Sequence, residues 1–159
     1  MKNINTAFIG HPKPLFGLFL TELWERFSYY GIRPLLIFVM MASQGVGGLE
    51  LSREDASAIT GIFAGCMYLA ALPGGWLADN VFGQKRAIFI GSVIIALGHV
   101  ALGFSYFYDY AFFLGLSLII VGSGLFKTCA SVMVGAMYKP GDERRDSGFT
   151  IFYMGINIG

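Results

Sequence analysis

The chain has 159 residues, of which 55% are hydrophobic, 16% aromatic and only 13% charged, with a formal net charge of +1. Soluble domains carry about 25% charged residues, so this composition is typical of a membrane protein. The near-neutral net charge argues against a protein that binds nucleic acid. Two cysteines, Cys66 and Cys129, lie far apart in apolar segments, and this spacing predicts neither a metal site nor a disulfide framework.

Long apolar stretches predict an all-α membrane protein. Ala56 to Ala78 contains no acidic or basic residue, and Tyr110 to Tyr138 contains only Lys127. Since about 20 residues cross the hydrocarbon core of a bilayer, we expect four complete transmembrane helices and the start of a fifth. Their approximate ranges are 14–42, 54–78, 86–104, 110–138 and 147–159. Ser52-Arg53-Glu54-Asp55 resembles a capping box that opens the second helix.

The placement of lysine and arginine predicts the orientation in the membrane. If residues 1–13 form a cytoplasmic N-terminus, the outer loops hold only Arg53, and the inner segments hold seven basic residues. The seven are Lys2, Lys13, Lys85, Arg86, Lys139, Arg144 and Arg145. This bias predicts a multi-pass plasma-membrane protein, as in a bacterial inner membrane, with its N-terminus inside.

The last predicted helix is short for a membrane span. A half-span leaves backbone groups unsatisfied in lipid unless more protein packs around it. We therefore expect residues 14–159 to be part of an N-terminal six-helix bundle of a longer, transporter-sized polypeptide. The alternative is a complete protein of this length.

Three charged residues, Glu22, Glu25 and Arg26, lie within the first predicted helix, between apolar segments. A charge at the bilayer centre costs about 3 kcal/mol, so such residues pair with one another or line a water-filled cavity. Glu22 and Arg26 are four residues apart and can form an ion pair on one helical face. Tyr29 and Arg33 continue that face, so the helix is expected to turn a polar stripe toward water.

Several polar side chains are expected at similar depth in the membrane. At 1.5 Å per residue, Glu25 and Lys127 lie roughly 17 Å from the inner ends of their helices. Tyr68 and Asn157 lie roughly 15 Å from theirs. We expect these groups to converge near the midplane, where secondary transporters bind substrate. A carboxylate beside a cation can change its protonation there as its partners move, which would suit proton coupling. The alternative is a permanently paired cluster whose only role is to join helices 1 and 4.

Four motifs along the chain occur together in one transporter family. They are Glu22-x-x-Glu25-Arg26 with Phe27 and Tyr29-Tyr30, Gly74-Gly75-Trp76-Leu77-Ala78-Asp79 with Gly83-Gln84-Lys85-Arg86, Gly124-Leu125-Phe126-Lys127, and Phe152-Tyr153-x-x-Ile156-Asn157-x-Gly159. In this order they resemble the proton-coupled oligopeptide transporter family of the major facilitator superfamily. The chain departs from the family at two sites: Thr128-Cys129 stand where the family commonly has Pro-Asn, and Asn80 stands where a basic residue is common.

The resemblance implies a transporter that carries di- and tripeptides together with protons by alternating access. It does not imply an enzyme. It implies no metal and no cofactor apart from the coupling proton. The resemblance assigns proton coupling to Glu22, Glu25, Arg26 and Lys127. The implied peptide pocket is lined by Tyr29, Tyr30, Arg33, Tyr68, Lys127, Tyr153 and Asn157. The implied gating loop contains Asp79, Lys85 and Arg86.

The implied partners are peptides, protons, the lipid bilayer and the remaining C-terminal helices, with no nucleic acid among them. Two other functions stay open at this point. The family also includes carriers of nitrate and other small solutes. A non-transporting receptor or scaffold subunit is the alternative from a different class.

Overall fold

The computed structural model describes residues 6–159, so Lys2 lies outside the described residues. Six α-helices follow a short N-terminal hairpin within this range. They are α1 (Lys13–Met41), α2 (Arg53–Leu69), α3 (Ala71–Leu77), α4 (Gln84–Gly103), α5 (Asp109–Ala136) and α6 (Arg144–Ile158). A π-helix at Ala78–Phe82 and two 3-10 turns, Gln44–Val46 and Phe104–Tyr106, complete the helical structure that the described residues show.

The hairpin was not expected from the sequence of the N-terminal segment. Its strands are β1 (Thr6–Phe8) and β2 (His11–Pro12), which pair antiparallel. Ile9 and Gly10 between them both have positive φ, at 50° and 79°. Two consecutive left-handed residues form the tight turn that matches the twist of a hairpin. A β-branched residue at such a position is uncommon, and for that reason the sequence does not indicate the turn.

The second predicted helix, 54–78, is longer and less regular in the structure. Ser52 caps it as the motif predicts, because its side chain accepts a hydrogen bond from the backbone N–H of Asp55 at 3.1 Å. At the other end the helical path continues through the π-helix as far as Phe82, where the Asn80 side chain donates to the Trp76 carbonyl at 2.9 Å. Only Gly83, with φ of 74°, then separates this segment from α4.

Within the described part of the chain, three segments are long and apolar enough to cross a membrane: Arg53–Phe82, Gln84–Tyr106 and Asp109–Ala136. α1 has 29 residues, which exceeds the roughly 20 that a crossing needs, but its apolar sequence is interrupted by charged residues. α6 has 15 residues and begins three positions before the predicted 147, because the Asp142 side chain accepts from the Arg144 backbone N–H at 3.0 Å.

The chain divides into two compact units. The smaller unit combines the residues up to Gly31 with Ala130–Gly159, and the larger unit is Ile32–Cys129. In the larger unit, α4 and α5 approach closely at Gly91 and Gly122. A Cβ added to Gly122 would lie 2.7 Å from the Gly91 carbonyl oxygen, a distance that no side chain tolerates. The close approach therefore requires glycine.

Gly122→Ala is expected to destabilise the protein by about 1–3 kcal/mol, because the added methyl group overpacks this helix contact. Thermal unfolding of the complete gene product in detergent would measure the change. Gly61→Ala is the matched control, because a Cβ at Gly61 meets no atom within 4 Å among the described residues. An equal loss of stability in both variants would contradict the packing explanation.

In the smaller unit, the hairpin is fastened to the segment between α5 and α6. A buried hydrogen bond of 2.9 Å joins His11 Nδ1 and Tyr138 Oη. Arg144 Nη1 donates to the Gly10 carbonyl at 3.2 Å and Nη2 donates to Asp142 at 2.8 Å. Hydrogen bonds from Arg144 hold the pKa of the Asp142 carboxyl below its usual value. This carboxylate therefore stays charged, and keeps its bonds to Arg144, well below neutral pH.

Tyr138→Phe is expected to loosen the hairpin, because it leaves a buried His11 nitrogen without its partner at a cost of about 1–3 kcal/mol. Hydrogen–deuterium exchange of residues 6–12 should become faster, while exchange in α4 stays unchanged. Tyr108→Phe, at an exposed tyrosine, is the control. Unchanged exchange of residues 6–12 would show that the hydrogen bond does not hold the hairpin.

Candidate functional site

Arg26 lies between two buried carboxylates on α1. Its Nε donates to Glu22 Oε1 at 2.9 Å and lies 3.4 Å from Glu25 Oε2. Glu22 is 2% exposed and Glu25 is 9% exposed. The ion pair between Glu22 and Arg26 is the one that their spacing predicts. With both carboxylates ionised, the three side chains carry a formal charge of −1, and a single bound proton neutralises them.

The end of α6 packs against α1 beside this cluster. A Cβ added to Gly155 would lie 2.9 Å from the Phe19 carbonyl oxygen, and one added to Gly159 would lie 3.0 Å from Arg26 Cβ. Since neither glycine has a side chain, the two helices can approach closely. Gly155 and Gly159 therefore serve helix packing within this unit, and their four-residue spacing is typical of close contacts between membrane helices.

Aromatic and amide groups of the predicted pocket flank the cluster along the two helices. Tyr29 is buried and Tyr30 is exposed, with their rings in an edge-to-face contact of 5.2 Å. On α6, Tyr153 is 52% exposed, and the Asn157 side chain donates to the Tyr153 carbonyl at 2.8 Å. Hydroxyl and amide groups are thus available at the surface of the smaller unit.

In the larger unit, Lys127 of α5 contacts Tyr68 of α2. The Lys127 Nζ lies 5.4 Å from the centroid of the Tyr68 ring, which is within the range of a cation–π interaction. Tyr68 is otherwise 71% exposed. Next to Lys127, Thr128 donates to the Gly124 carbonyl at 3.3 Å and packs near Gly75. At position 128, where the family commonly has proline, this chain thus has a helical threonine whose hydroxyl is bonded to the backbone.

The predicted gating residues lie around the junction of the π-helix and α4. Asp79 belongs to the π-helix, and its carboxylate accepts a hydrogen bond from the Gln84 side chain. Lys85 and Arg86 are exposed in the first turn of α4. Arg33 is also exposed, on α1.

The predicted site residues fall into two sets, one in each compact unit. The smaller unit contains Glu22, Glu25, Arg26, Tyr29, Tyr30, Tyr153 and Asn157. The larger unit contains Arg33, Tyr68, Asp79, Lys85, Arg86 and Lys127. The convergence of Lys127 with the cluster on α1 stays a prediction. Among the described residues, no group of three or more histidine, cysteine or acidic side chains is arranged to hold a metal ion.

Known proteins with similar sequences give the chain its family. The profile of the POT family matches residues 85–159. Over 154 residues the chain is 65% identical to a peptide transporter of Yersinia enterocolitica, an alignment that covers 96% of this chain and 30% of that protein. This chain belongs to the POT family. A di-/tripeptide transporter of Lactococcus lactis is 44% identical over 164 residues, which cover 100% of this chain and 33% of the relative.

A solved structure of the POT family supports the same fold. The crystal structure of a family transporter in complex with a thioalcohol-conjugated peptide superposes with a TM-score of 0.90 at 40% identity, covering 96% of this chain and 31% of that one. The expected all-α membrane fold is confirmed, and the chain is part of a multi-pass membrane protein. POT proteins are transporters and not enzymes, as the resemblance implies. The chain spans about 30% of the length of its relatives.

Proposed function

We propose that this chain forms part of a symporter that moves di- and tripeptides together with protons. The observation that carries the proposal is the buried cluster of Arg26 with Glu22 and Glu25. A membrane helix holds such charges for a function, because leaving them in lipid costs several kcal/mol. The names of the relatives, which are peptide and di-/tripeptide transporters, support peptides as the substrates.

The coupling step that we propose is protonation of the carboxylate pair. Binding one proton to Glu22 or Glu25 neutralises the cluster and weakens the attraction between the protonated carboxyl group and Arg26. Lys127 is the proposed cationic partner on α5, a role supported by its similar depth along its own helix. If the carboxylates pair with Arg26 in one conformation and with Lys127 in another, proton release would be linked to the rearrangement of the helices. The proton is the coupling ion, and no cofactor takes part.

Peptide binding is assigned to the cations and hydrogen-bonding groups outside this cluster. Arg33 and Lys127 supply positive charge for the peptide carboxylate, and the contact with Tyr68 positions the Lys127 ammonium. The other proposed pocket residues are Tyr29, Tyr30, Tyr153 and Asn157. Their hydroxyl and amide groups can bond to the peptide backbone. A site that reads backbone groups accepts many peptide sequences.

The proposed location is a bacterial inner membrane with the N-terminus in the cytoplasm. The bias of basic residues toward one set of loops supports this orientation. The junction between the π-helix and α4 then faces the cytoplasm, where Asp79, Lys85 and Arg86 are proposed to act in gating. The remaining partners are the lipid bilayer and further helices of the complete transporter.

Glu22→Gln and Glu25→Gln are each expected to reduce proton-driven uptake of a labelled dipeptide at least tenfold, because an amide cannot carry the coupled proton. Uptake would be measured with the complete gene product in liposomes under an inward proton gradient. Glu54→Gln, at an exposed acidic residue in the first turn of α2, is the control.

Uptake that ignores the proton gradient, or that survives both glutamine substitutions, would contradict the coupling step. Competition by nitrate but not by dipeptides would favour a carrier of small anions instead. Binding of neither would favour a scaffold or receptor subunit.

Tyr68→Leu is expected to raise the KM for dipeptide about two- to tenfold, because the loss of a cation–π contact of about 0.5–1 kcal/mol also releases the Lys127 side chain. Tyr68→Phe keeps an aromatic face and is expected to retain a KM closer to that of the native protein. Initial uptake rates at varied dipeptide concentration would measure both. Equal KM values for the leucine and phenylalanine variants would argue against this positioning role.

A further inference from the structure

The smaller unit contains an open groove between the end of α5 and the start of α6. Its volume is about 520 Å³, which is within the usual range for sites that bind small ligands. The groove is lined by Ser131, Val132, Gly135 and Ala136 of α5 and by Arg145 and Phe149 of α6. Its walls are thus largely apolar, with one cation and one hydroxyl.

Arg145 is the charged side chain of this groove. Its guanidinium lies 5.9 Å from the centroid of the Phe149 ring. A Cβ added to Gly135 would lie 3.5 Å from both Arg145 Nη2 and Phe149 Cζ, an ordinary contact distance, so both side chains lie directly beside this part of α5. Within residues 6–159, Arg145 takes part in no ion pair. Its planar set of donors is available to a carboxylate from outside the unit.

The neighbouring Arg144 has the opposite environment. It donates from Nε and Nη2 to the two oxygens of Asp142, at 3.0 and 2.8 Å, and from Nη1 to the Gly10 carbonyl. Its role is therefore to hold the segment between α5 and α6 together. Two adjacent arginines thus differ in function, since one is occupied by internal partners and the other faces a groove.

Beyond the groove, α6 carries two residues of the predicted peptide pocket, Tyr153 and Asn157. Arg145, Phe149, Tyr153 and Asn157 follow one another at intervals of four residues, so each lies one turn from the next. The rings of Phe149 and Tyr153 stack at 6.4 Å. Arg145 and Tyr153 are roughly 12 Å apart along the helix axis. A short peptide is of similar length, with an apolar or polar body and a carboxylate at one end.

We propose that Arg145 binds the C-terminal carboxylate of the peptide as it leaves the pocket toward the cytoplasm. This inference rests on the proposed function and on the proposed cytoplasmic position of the start of α6. The aromatic faces of Phe149 and Tyr153 contact the body of the peptide along the groove. Because Arg145 is exposed, the site is weak and releases the peptide readily. It acts as a second carboxylate site, separate from Arg33 and Lys127.

The test compares the two faces of the complete gene product, reconstituted in liposomes in one orientation. With Arg145→Gln, the KM for a labelled dipeptide presented at the cytoplasmic face is expected to rise about fivefold, because an exposed charge-assisted hydrogen bond is lost. The KM at the opposite face should stay within about twofold of the native value. Arg145→Lys keeps the charge without the planar fork and should give an intermediate KM.

Two controls separate carboxylate binding from other effects. Lys139→Gln removes an exposed cation from the same segment outside the groove, and it should leave both KM values unchanged. A dipeptide with an amidated C-terminus should inhibit from the cytoplasmic face equally well in the native protein and in Arg145→Gln, because it has no carboxylate to bind.

An unchanged cytoplasmic KM in Arg145→Gln would overturn this site while leaving the proposed transport function intact. The site is also overturned if Lys139→Gln raises that KM equally, or if the amidated peptide loses affinity to the same extent. A native protein that carries no dipeptide would overturn the proposed function and this site together.

Discussion

Arg26 is half-buried beside two buried carboxylates on α1, a helix in which apolar residues predominate. A buried ion cluster is stable only while its members stay close, because removing one partner leaves an uncompensated charge. The spacing of Glu22 and Arg26 on one helix keeps this pair together whatever the other helices do. The cluster nevertheless holds one negative charge in excess, so it favours either a proton or a second cation. This imbalance is the physical basis of the proposed coupling.

Helix packing within each of the two units depends on residues that have no side chain. Gly155 and Gly159 bring α6 against α1 in the smaller unit, and Gly91 and Gly122 bring α4 against α5 in the larger one. In a membrane, such close contacts replace the hydrophobic driving force that joins helices in water. Gly135 differs from these glycines, because a Cβ there would meet Arg145 and Phe149 at an ordinary contact distance.

Several features were predictable because they depend on neighbours along the chain. The Glu22–Arg26 ion pair follows from their four-residue spacing, and the Ser52 cap follows from its motif. The three apolar spans follow from composition alone. The N-terminal hairpin was not predictable, because its turn contains a β-branched residue with positive φ and its contact with Tyr138 joins positions far apart in sequence. At the π-helix and at the start of α6, side chains bond to backbone groups, and hydropathy and helical periodicity do not indicate such bonds.

Hydropathy and motif spacing along the chain were enough to predict the class of protein, the helical spans, the family and the residues that carry charge between apolar segments. These properties are local, because neighbours along one helix specify them. The folded structure was needed to show which arginine near the start of α6 is bonded to internal partners and which lines the groove. It was also needed to show that the Lys127 ammonium lies over the Tyr68 ring. Such contacts depend on distances between helices, which the order of residues along one helix does not specify.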